Sequence, residues 1–253
     1  MSSIKVVIPA RYGSSRLEGK PLLQLLGKPI VLHVVERCKE AGVPREDIFV
    51  ATDDKRIFSI LEKSGTQVVM TSDKHQSGTD RICEVANIMQ WDDYAIVLNV
   101  QGDEPLIPSD LISEVAAFAA EHCEYDITTA VVPIIKMEEF ISPNVVKAIL
   151  GHDGRAVFFT RAAAPINRDL PQDYSLVKRH IGIYAYRVSA LRRFFSYEED
   201  TLENYETLEQ LRALSHGMPI GALVYEGVVP HGIDTIEDYE NIKLIMKRQQ
   251  SKC

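Results

Sequence analysis

A basic loop of small residues stands near the start of the chain, directly after an apolar run. Residues 9–21 read PARYGSSRLEGKP and carry three cations, Arg11, Arg16 and Lys20. Backbone N–H groups of such a turn, with two guanidinium groups and an ammonium beside them, suit the anionic oxygens of a triphosphate. A solvated basic loop is the plain alternative. We therefore treat the loop as a candidate phosphate site.

This loop differs from the two common nucleotide-binding fingerprints. Five residues separate Gly13 from Gly19, where a Walker A loop has four, and Pro21 stands where Ser or Thr would bind the metal. The two glycines are also too few for a dinucleotide GxGxxG motif. The loop predicts phosphate binding by another geometry, as a nucleotidyltransferase requires.

Two aspartates have the chemistry to hold Mg2+ beside that loop. Asp103 follows the apolar run 95–100, which places it at the carboxyl end of a predicted strand, and Asp234 lies in a distant segment, HGIDT. Mg2+ takes hard oxygen ligands, usually one or two carboxylates completed by phosphate oxygens and water. A turn or a helix cap is the alternative role for such an Asp.

Two further segments place polar side chains in a regular pattern. Ser77, Thr79 and Asp80 precede an apolar helical run and can cap it, and a helix N-terminus is also a site for polar or anionic groups. In HIGIYAYR, alternation puts His180, Gly182, Tyr184 and Tyr186 on the same strand face. A packed, half-polar strand face is the alternative for the tyrosines.

The elements that position these residues alternate between strand and helix in the first half of the chain. This pattern predicts a Rossmann-like, mostly parallel central sheet with helices on both faces, and ligand-binding loops beyond the carboxyl ends of its strands. From about Asp126 the runs read as closely spaced strands, which indicates a smaller antiparallel lobe. We expect a nucleotide-binding α/β part (1–125), a smaller lobe (126–200) and a return to the main domain (201–253). The predicted strands are 4–8, 48–52, 68–71, 95–100 and 221–224, and the predicted helices are 30–41, 56–63, 81–89 and 236–248.

Helices are expected to resume at about Leu202, with one amphipathic helix that opens near Thr201 and stops at Gly217. On that helix, Glu209 and Gln210 are polar, and a surface pair of Glu209 with Arg212, three residues on, is the plain alternative to a binding role for Glu209.

Composition narrows the class of partner. The chain has 253 residues and a formal charge of -8, which argues against binding a nucleic-acid polymer. No apolar stretch is long enough to span a membrane, and the N-terminus does not read as a signal peptide, so a cytoplasmic location is expected. The four cysteines form no CxxC pair, and reduced thiols are expected.

The segment IPARYGSSRLEGKPL resembles the signature loop of the 3-deoxy-manno-octulosonate (Kdo) cytidylyltransferases, or CMP-Kdo synthetases. VMTSDKHQSGTDR, LNVQGDEPLI, HIGIYAYR, LEQLR and GIDTIED extend the resemblance in order over nearly the whole chain. Glu18 and Ile236 depart from the family pattern, which usually has proline at both positions.

The resemblance implies an α/β fold of the nucleotide-diphospho-sugar transferase type, Mg2+ as cofactor, and CTP and an acidic eight-carbon sugar as substrates. It also implies a homodimer, and it assigns both sugar binding and dimerisation to the smaller lobe (126–200). It implies catalytic roles for Arg11, Arg16, Lys20 and Asp103, and metal binding by Asp103 and Asp234. The implied nucleotide-binding residues are Pro9, Ala10, Arg11, Ser14, Lys20, Thr71, Ser77, Arg81 and Gln101. The implied sugar-binding residues are Gln101, Arg161, His180, Tyr184, Glu209 and Gln210, with Arg161 as the partner of the sugar carboxylate.

Other functions stay open on the sequence alone. The same motifs fit the 8-amino analogue of Kdo, because exchange of one hydroxyl for an amine needs few pocket changes. A nonulosonate of the sialic-acid type and a sugar-1-phosphate both call for a different first loop. A non-catalytic nucleotide-binding module would lose the carboxylates that this chain keeps at Asp103 and Asp234.

Overall fold

The computed structural model describes residues 4–13, 17–75 and 77–250. A mixed β-sheet crosses the whole molecule. Its strands are β1 (Ile4–Pro9), β4 (Ile48–Thr52), β5 (Gln67–Met70), β6 (Ile96–Asn99), β7 (Ile127–Pro133), β8 (Lys147–Leu150), β9 (Ala156–Thr160), β10 (Lys178–Arg187) and β11 (Ile220–Val224), and β2 (Gln24–Leu25) pairs with β3 (Lys28–Pro29) in a separate hairpin.

The parallel part of the sheet is built from the β-branched runs of the first half of the chain. β1 pairs in parallel with β4 and with β6, and β5 pairs in parallel with β4. The predicted strands are found within one or two residues of their expected bounds. The carboxyl ends of these strands therefore lie at the same edge of the sheet, as expected.

The antiparallel strands continue this sheet. β10 lies between β6 and β7 and is antiparallel to both, β8 and β9 extend from the amino end of β10, and β11 is parallel to β7. A bulge in β10 places Ile181 opposite Ala130 but Tyr184 opposite Thr129. Strands from the three predicted parts of the chain thus share a sheet.

Helices cover both faces of the sheet. They are α1 (Ile30–Glu40), α2 (Lys55–Lys63), α3 (Gly78–Ile88), α4 (Ser109–Glu121), α5 (Met137–Ile141), α6 (Val188–Phe195), α7 (Thr201–Glu206), α8 (Gln210–Ser215) and α9 (Ile236–Gln250). Alternation along β1 sends Val6 and Ile8 into the core under α1 and α4, and Val7 into the core under α3, α6 and α8. Burial of both faces explains why these strands read as continuous apolar runs.

The helices differ from expectation in two respects. The sequence interpretation did not anticipate α4 or α6. It also predicted one helix from Thr201 to Gly217, and this was wrong, because Thr207 adopts a left-handed conformation (φ 53°) that separates α7 from α8. The guanidinium of Arg161 stabilises this break by donating to the carbonyl oxygens of Glu206 and Thr207, at 2.7 and 3.2 Å.

Within the described part of the chain, no helix is both long and apolar enough to cross a bilayer. Cys38, Cys83 and Cys123 are free thiols, and burial raises the pKa of Cys38 to about 12 and that of Cys83 to about 11. Cys253 lies outside the described residues.

Candidate functional site

The basic loop begins where β1 ends at the sheet edge. Its path is set by Gly19, which has a left-handed conformation (φ 66°) and donates its N–H to the carbonyl oxygen of Tyr12 at 2.9 Å. Arg56 of α2 lies over the Tyr12 ring, 3.3 Å from its centroid. Glu18, the acid of this segment that departs from the family pattern, is exposed. Ser14 and Arg16, two of the predicted site residues, lie outside the described residues.

A second turn, after β6, approaches the basic loop so closely that it requires glycine. A Cβ atom on Gly102 would lie 2.6 Å from the carbonyl oxygen of Pro9. Real Cβ contacts are not this short, so any other residue would push the two turns apart. The close approach brings Gln101 and Asp103 beside the basic loop, as the sequence predicted for the ends of neighbouring parallel strands.

A third segment, the loop before α9, brings Asp234 close to Asp103, and these two are the candidate metal ligands. The N–H of Ile233 donates to the carbonyl oxygen of Asp103 at 2.9 Å, which fixes Asp234 near Asp103. The Thr235 hydroxyl accepts the N–H of Asp238, and the Asp238 carboxylate accepts the N–H of Thr235 at 2.8 Å. This capping box starts the helix at Ile236 without the usual proline, so that departure leaves the loop intact.

Lys20 joins the three segments. Its Nζ donates to Asp103 Oδ2 at 2.6 Å and to the carbonyl oxygen of Ile233 at 2.7 Å, and it lies 3.4 Å from Asp234 Oδ1. A cavity of about 410 Å³ opens beside these groups. Its lining is Pro9, Ala10, Arg11, Gly13, Lys20, Pro21, Gly78, Gln101, Gly102, Asp103 and Asp234.

Asp103 and Asp234 fit a divalent cation. Both carboxylates face the same ammonium and both line the cavity, so their oxygens converge on one position. The described residues hold no cluster of three or more His, Cys, Asp or Glu side chains with metal-ligand geometry. Two carboxylates with phosphate oxygens and water form the usual ligand set for Mg2+.

Glu104 is a buried acid beside this pair that the sequence interpretation missed. Burial raises the pKa of Glu104 to about 8, and the negative charges of Asp103 and Asp234 act in the same direction. Among the described residues, its Oε2 has no hydrogen-bond partner. Its place directly after Asp103 in the segment LNVQGDEPLI was the available signal, together with Gly102 two residues before it.

The helix start expected to face the base is present, with α3 beginning at Gly78. Ser77 and Asp80 form a capping box in which the Ser77 hydroxyl accepts the Asp80 N–H at 3.1 Å. Arg81 is fully buried: its guanidinium donates to Thr71 Oγ1 and to Asp53 Oδ2, at 2.7 Å for the latter. Arg81 thus fixes Thr71, the residue directly after β5, through a buried hydrogen bond. A direct contact between Arg81 and a nucleotide stays a prediction.

The expected sugar side is a row of aromatic rings on one face of β10. His180, Tyr184 and Tyr186 share this face, with ring centroids 5.3 and 5.9 Å apart, and Phe159 packs edge-on against His180. The hydroxyl of Thr129 has one proton and lies 2.7 Å from the carbonyl oxygen of Ile183, so it accepts from His180 Nε2–H at 3.0 Å. Burial lowers the pKa of His180 to about 3, which keeps the ring neutral.

Glu209 connects the nucleotide side to this aromatic row. Its Oε2 accepts the Thr79 hydroxyl at 2.8 Å, burial raises its pKa, and among the described residues its Oε1 has no hydrogen-bond partner. It lines two smaller cavities, one of about 110 Å³ shared with Tyr184 and Gln210, and one of about 340 Å³ shared with Ser77.

The alternative role for Glu209, a surface pair with Arg212, is not found in the structure. Arg212 pairs with Glu203 instead, through Nε to Oε2 at 2.7 Å and Nη2 to Oε1 at 2.5 Å. The break at Thr207 causes this exchange, because it folds α8 back against α7.

Arg161 lies away from the three cavities that the other predicted residues line. Its guanidinium donates to the carbonyl oxygens of Pro143, Glu206 and Thr207. Its assignment to a substrate carboxylate therefore stays a prediction, whereas its contacts with the turn between α7 and α8 are direct.

Comparison with known proteins shows which family the sequence matches. A family model described as cytidylyltransferase matches residues 5–220. The chain is 44% identical over 257 residues to a 3-deoxy-manno-octulosonate cytidylyltransferase from Nitrosococcus oceani, covering 98% of each protein. It is 43% identical over 242 residues to the protein of that name from Acinetobacter baumannii, covering 94% of this chain and 95% of the relative.

Solved structures agree with this. A CMP:2-keto-3-deoxy-manno-octonic acid synthetase complexed with CTP superposes with a TM-score of 0.90 at 35% identity, covering 98% of this chain and 100% of the other. A cytidylyltransferase from Leptospira borgpetersenii, at 19% identity and a TM-score of 0.63 over 96% of this chain and 86% of the other, shares the fold.

Proposed function

Because the chain belongs to the 3-deoxy-manno-octulosonate cytidylyltransferase family, we propose that it transfers the CMP unit of CTP to Kdo and releases pyrophosphate. The observation that carries the proposal is the meeting of Lys20, Asp103 and Asp234 on a cavity lined by the phosphate loop. A cation that can neutralise a triphosphate and two carboxylates that can hold its metal thus lie within a few ångströms of one another.

The anomeric hydroxyl of the sugar attacks the α-phosphorus of CTP, and pyrophosphate leaves. Arg11 and Lys20 line the cavity and neutralise phosphate oxygens, and Gln101, which donates from Nε2 to the carbonyl oxygen of Gly182 at 3.2 Å, holds the turn at the junction with β10. None of these groups needs to form a covalent intermediate, so positioning and charge neutralisation supply the acceleration.

We propose Mg2+ as the cofactor, held by Asp103 and Asp234. When bound, it would neutralise the negative charge that develops on the phosphate oxygens. The chain contributes the two carboxylates and the rigid turn that aims them, through Gly102 and the bond between Ile233 and Asp103.

We place the sugar along the aromatic row of β10 and the start of α8. Glu209 and Gln210 border the cavity that Tyr184 and Tyr186 line, and these groups offer acceptors and donors to hydroxyls. The neutral His180 ring adds a hydrogen-bonding group without charge.

We also propose a homodimer that works in the cytoplasm and supplies lipopolysaccharide synthesis. The segment from β7 to β10 exposes a set of large apolar side chains that a second copy could cover. They are Ile135, Ile141, Ile166, Leu170 and Leu176. Light scattering after size exclusion would give a mass of two chains if this is correct.

The function is tested by pyrophosphate release. CTP, ATP, GTP and UTP are each crossed with Kdo, its 8-amino analogue and N-acetylneuraminate, with Mg2+ or with EDTA. We expect release only with CTP, Mg2+ and Kdo, or the 8-amino analogue if the acceptor differs in that group. No release with CTP and any acid sugar would refute the assignment. Asp103→Asn should lower turnover by about 10²–10³-fold, the scale of one lost electrostatic contact in a transition state.

A further inference from the structure

The ammonium group of Lys20 lies where a cation between the two aspartates would lie. It contacts Asp103 Oδ2 at 2.6 Å and Asp234 Oδ1 at 3.4 Å. The Lys20 side chain is only 12% exposed, whereas the side chains of Asp103 and Asp234 are 31% and 52% exposed, so the ammonium is largely buried while the carboxylates stay open to solvent. These two carboxylates are the ones that would hold the proposed Mg2+.

This position of the ammonium is built into the backbone. The carbonyl oxygen of Ile233 accepts a third hydrogen bond from Lys20 Nζ at 2.7 Å, while the N–H of the same residue holds the carbonyl oxygen of Asp103 at 2.9 Å. An ammonium has three donors, and here they meet two carboxylates and one carbonyl. The three acceptors around the Lys20 ammonium therefore form a binding site for a cation, and the ammonium occupies it.

We propose that Lys20 and a divalent cation compete for Asp103 and Asp234, and that the carboxylates become available to the metal when the phosphate oxygens of CTP draw the Lys20 ammonium away. The proposal rests on the proposed function, since it takes the metal and the triphosphate as ligands of this cavity. Its consequence is that metal and nucleotide bind together, and that the metal alone binds weakly.

The local charges give the reason. The two carboxylates sum to -2, and the ammonium between them lowers this to -1, before Arg11 at the same cavity is considered. A divalent cation added beside the ammonium would place two positive groups within a few ångströms, and such charges repel each other by several kcal/mol even near a protein surface, where the effective dielectric constant is about 20. Phosphate oxygens reverse the balance, because they offer the Lys20 ammonium an anionic partner other than the two carboxylates.

The test measures binding of Mn2+ alone, without nucleotide, from the electron paramagnetic resonance signal of the free ion. Lys20→Met removes the charge and keeps the length of the side chain, and Lys20→Arg keeps the charge. Lys28→Met is the matched control, since Lys28 lies in the neighbouring hairpin and pairs with Glu36 at 2.5 Å. Circular dichroism confirms that each variant is folded.

We expect Lys20→Met to bind Mn2+ at least about tenfold more tightly than the wild type, the direction that removal of a nearby positive charge requires. Lys20→Arg and Lys28→Met should bind like the wild type. Addition of Asp103→Asn to Lys20→Met should remove the gain.

Equal or weaker Mn2+ binding by Lys20→Met would overturn the proposal, as would an equal gain in Lys20→Arg. Tight Mn2+ binding by the wild type without nucleotide would overturn it as well. These outcomes are independent of pyrophosphate release: a wild type that turns over CTP and Kdo while Lys20→Met gains no Mn2+ affinity refutes the competition alone.

Discussion

The hydroxyl of Thr79, near the start of α3, donates a 2.8 Å hydrogen bond to Glu209 Oε2, at the start of α8. This contact joins the segment assigned to the nucleotide to the segment assigned to the sugar, although 130 residues separate the partners. It uses one carboxylate oxygen of Glu209, and among the described residues the other oxygen has no hydrogen-bond partner. Glu209 also lines the cavity of about 110 Å³ that we assign to the acceptor.

The first prediction concerns this carboxylate. Glu209→Gln should raise KM for Kdo by roughly 10- to 100-fold, because a hydrogen bond to a charged group contributes about 1.5–3 kcal/mol. KM for CTP should change less than twofold or so, since the charge-neutralising groups lie in the other cavity. Glu198→Gln, which removes the same charge from an exposed position of the loop before α7, is the control. A parallel rise in both KM values would contradict the division of roles.

The second prediction tests the close approach of the two turns. Gly102→Ala should lower kcat by about 10²-fold, because a Cβ placed 2.6 Å from the Pro9 carbonyl oxygen must shift the turn that carries Asp103. Gly78→Ala places its Cβ at an ordinary 3.5 Å from the Pro9 side chain and should lose much less. Steady-state kinetics with CTP and Kdo give both values. Similar losses in the two variants would show that the contact with Pro9 is not the cause.

The sequence predicted the parallel part of the fold well, because strands buried on both faces read as continuous apolar runs. It predicted the convergence of Lys20, Asp103 and Asp234 only through the family motifs, since no local pattern relates residues so far apart. The sequence did not predict the raised pKa of Glu104, because burial of that side chain depends on the tertiary structure and the motif assigned the chemistry of the turn to Asp103.

The break between α7 and α8 could not be read from periodicity. The apolar spacing from Leu202 to Leu214 continues through Thr207, and the left-handed residue is held by the guanidinium of Arg161, which directly follows β9. Tertiary contacts of this kind override local helical preference. The same break changed the partner of Arg212 from Glu209 to Glu203.

The third prediction concerns this Arg212–Glu203 pair. Both side chains are nearly buried, with 8% and 11% of their surface exposed, and the pair is bidentate. Arg212→Met should lower the free energy of unfolding by about 3–5 kcal/mol, because it leaves a carboxylate buried without its partner. Glu203→Leu combined with Arg212→Met should cost clearly less, since no unpaired charge remains.

Urea unfolding followed by circular dichroism measures these values. Arg37→Ala is the control for loss of an ion pair on the surface, because Arg37 and Glu40 are 37% and 49% exposed, and it should cost no more than about 1 kcal/mol. A double variant as unstable as Arg212→Met would show that packing, and not the unpaired charge, dominates.

The fourth prediction concerns the neutral His180 ring. Burial lowers its pKa from 6.5 to about 3 in the folded protein. Between these values the unfolded chain takes up a proton that the folded protein refuses, so the stability contributed by this group is present above pH 6.5 and is lost as the pH falls toward 3. The hydrogen bond to Thr129 keeps the proton of the neutral ring on Nε2.

Between pH 7.5 and pH 5.0, His180 alone should therefore reduce the free energy of unfolding by about 2 kcal/mol, at about 1.36 kcal/mol for each pH unit below 6.5. Over this pH interval the free energy of unfolding of His180→Gln should fall by about 2 kcal/mol less than that of the wild type, because glutamine does not titrate. His122→Gln, which replaces an exposed histidine, should keep the wild-type loss. Urea titrations at the two pH values measure these losses. If His180→Gln kept the pH dependence of the wild type, the folded protein would accept a proton on the His180 ring. His180 would then be able to act as a cation toward the sugar carboxylate.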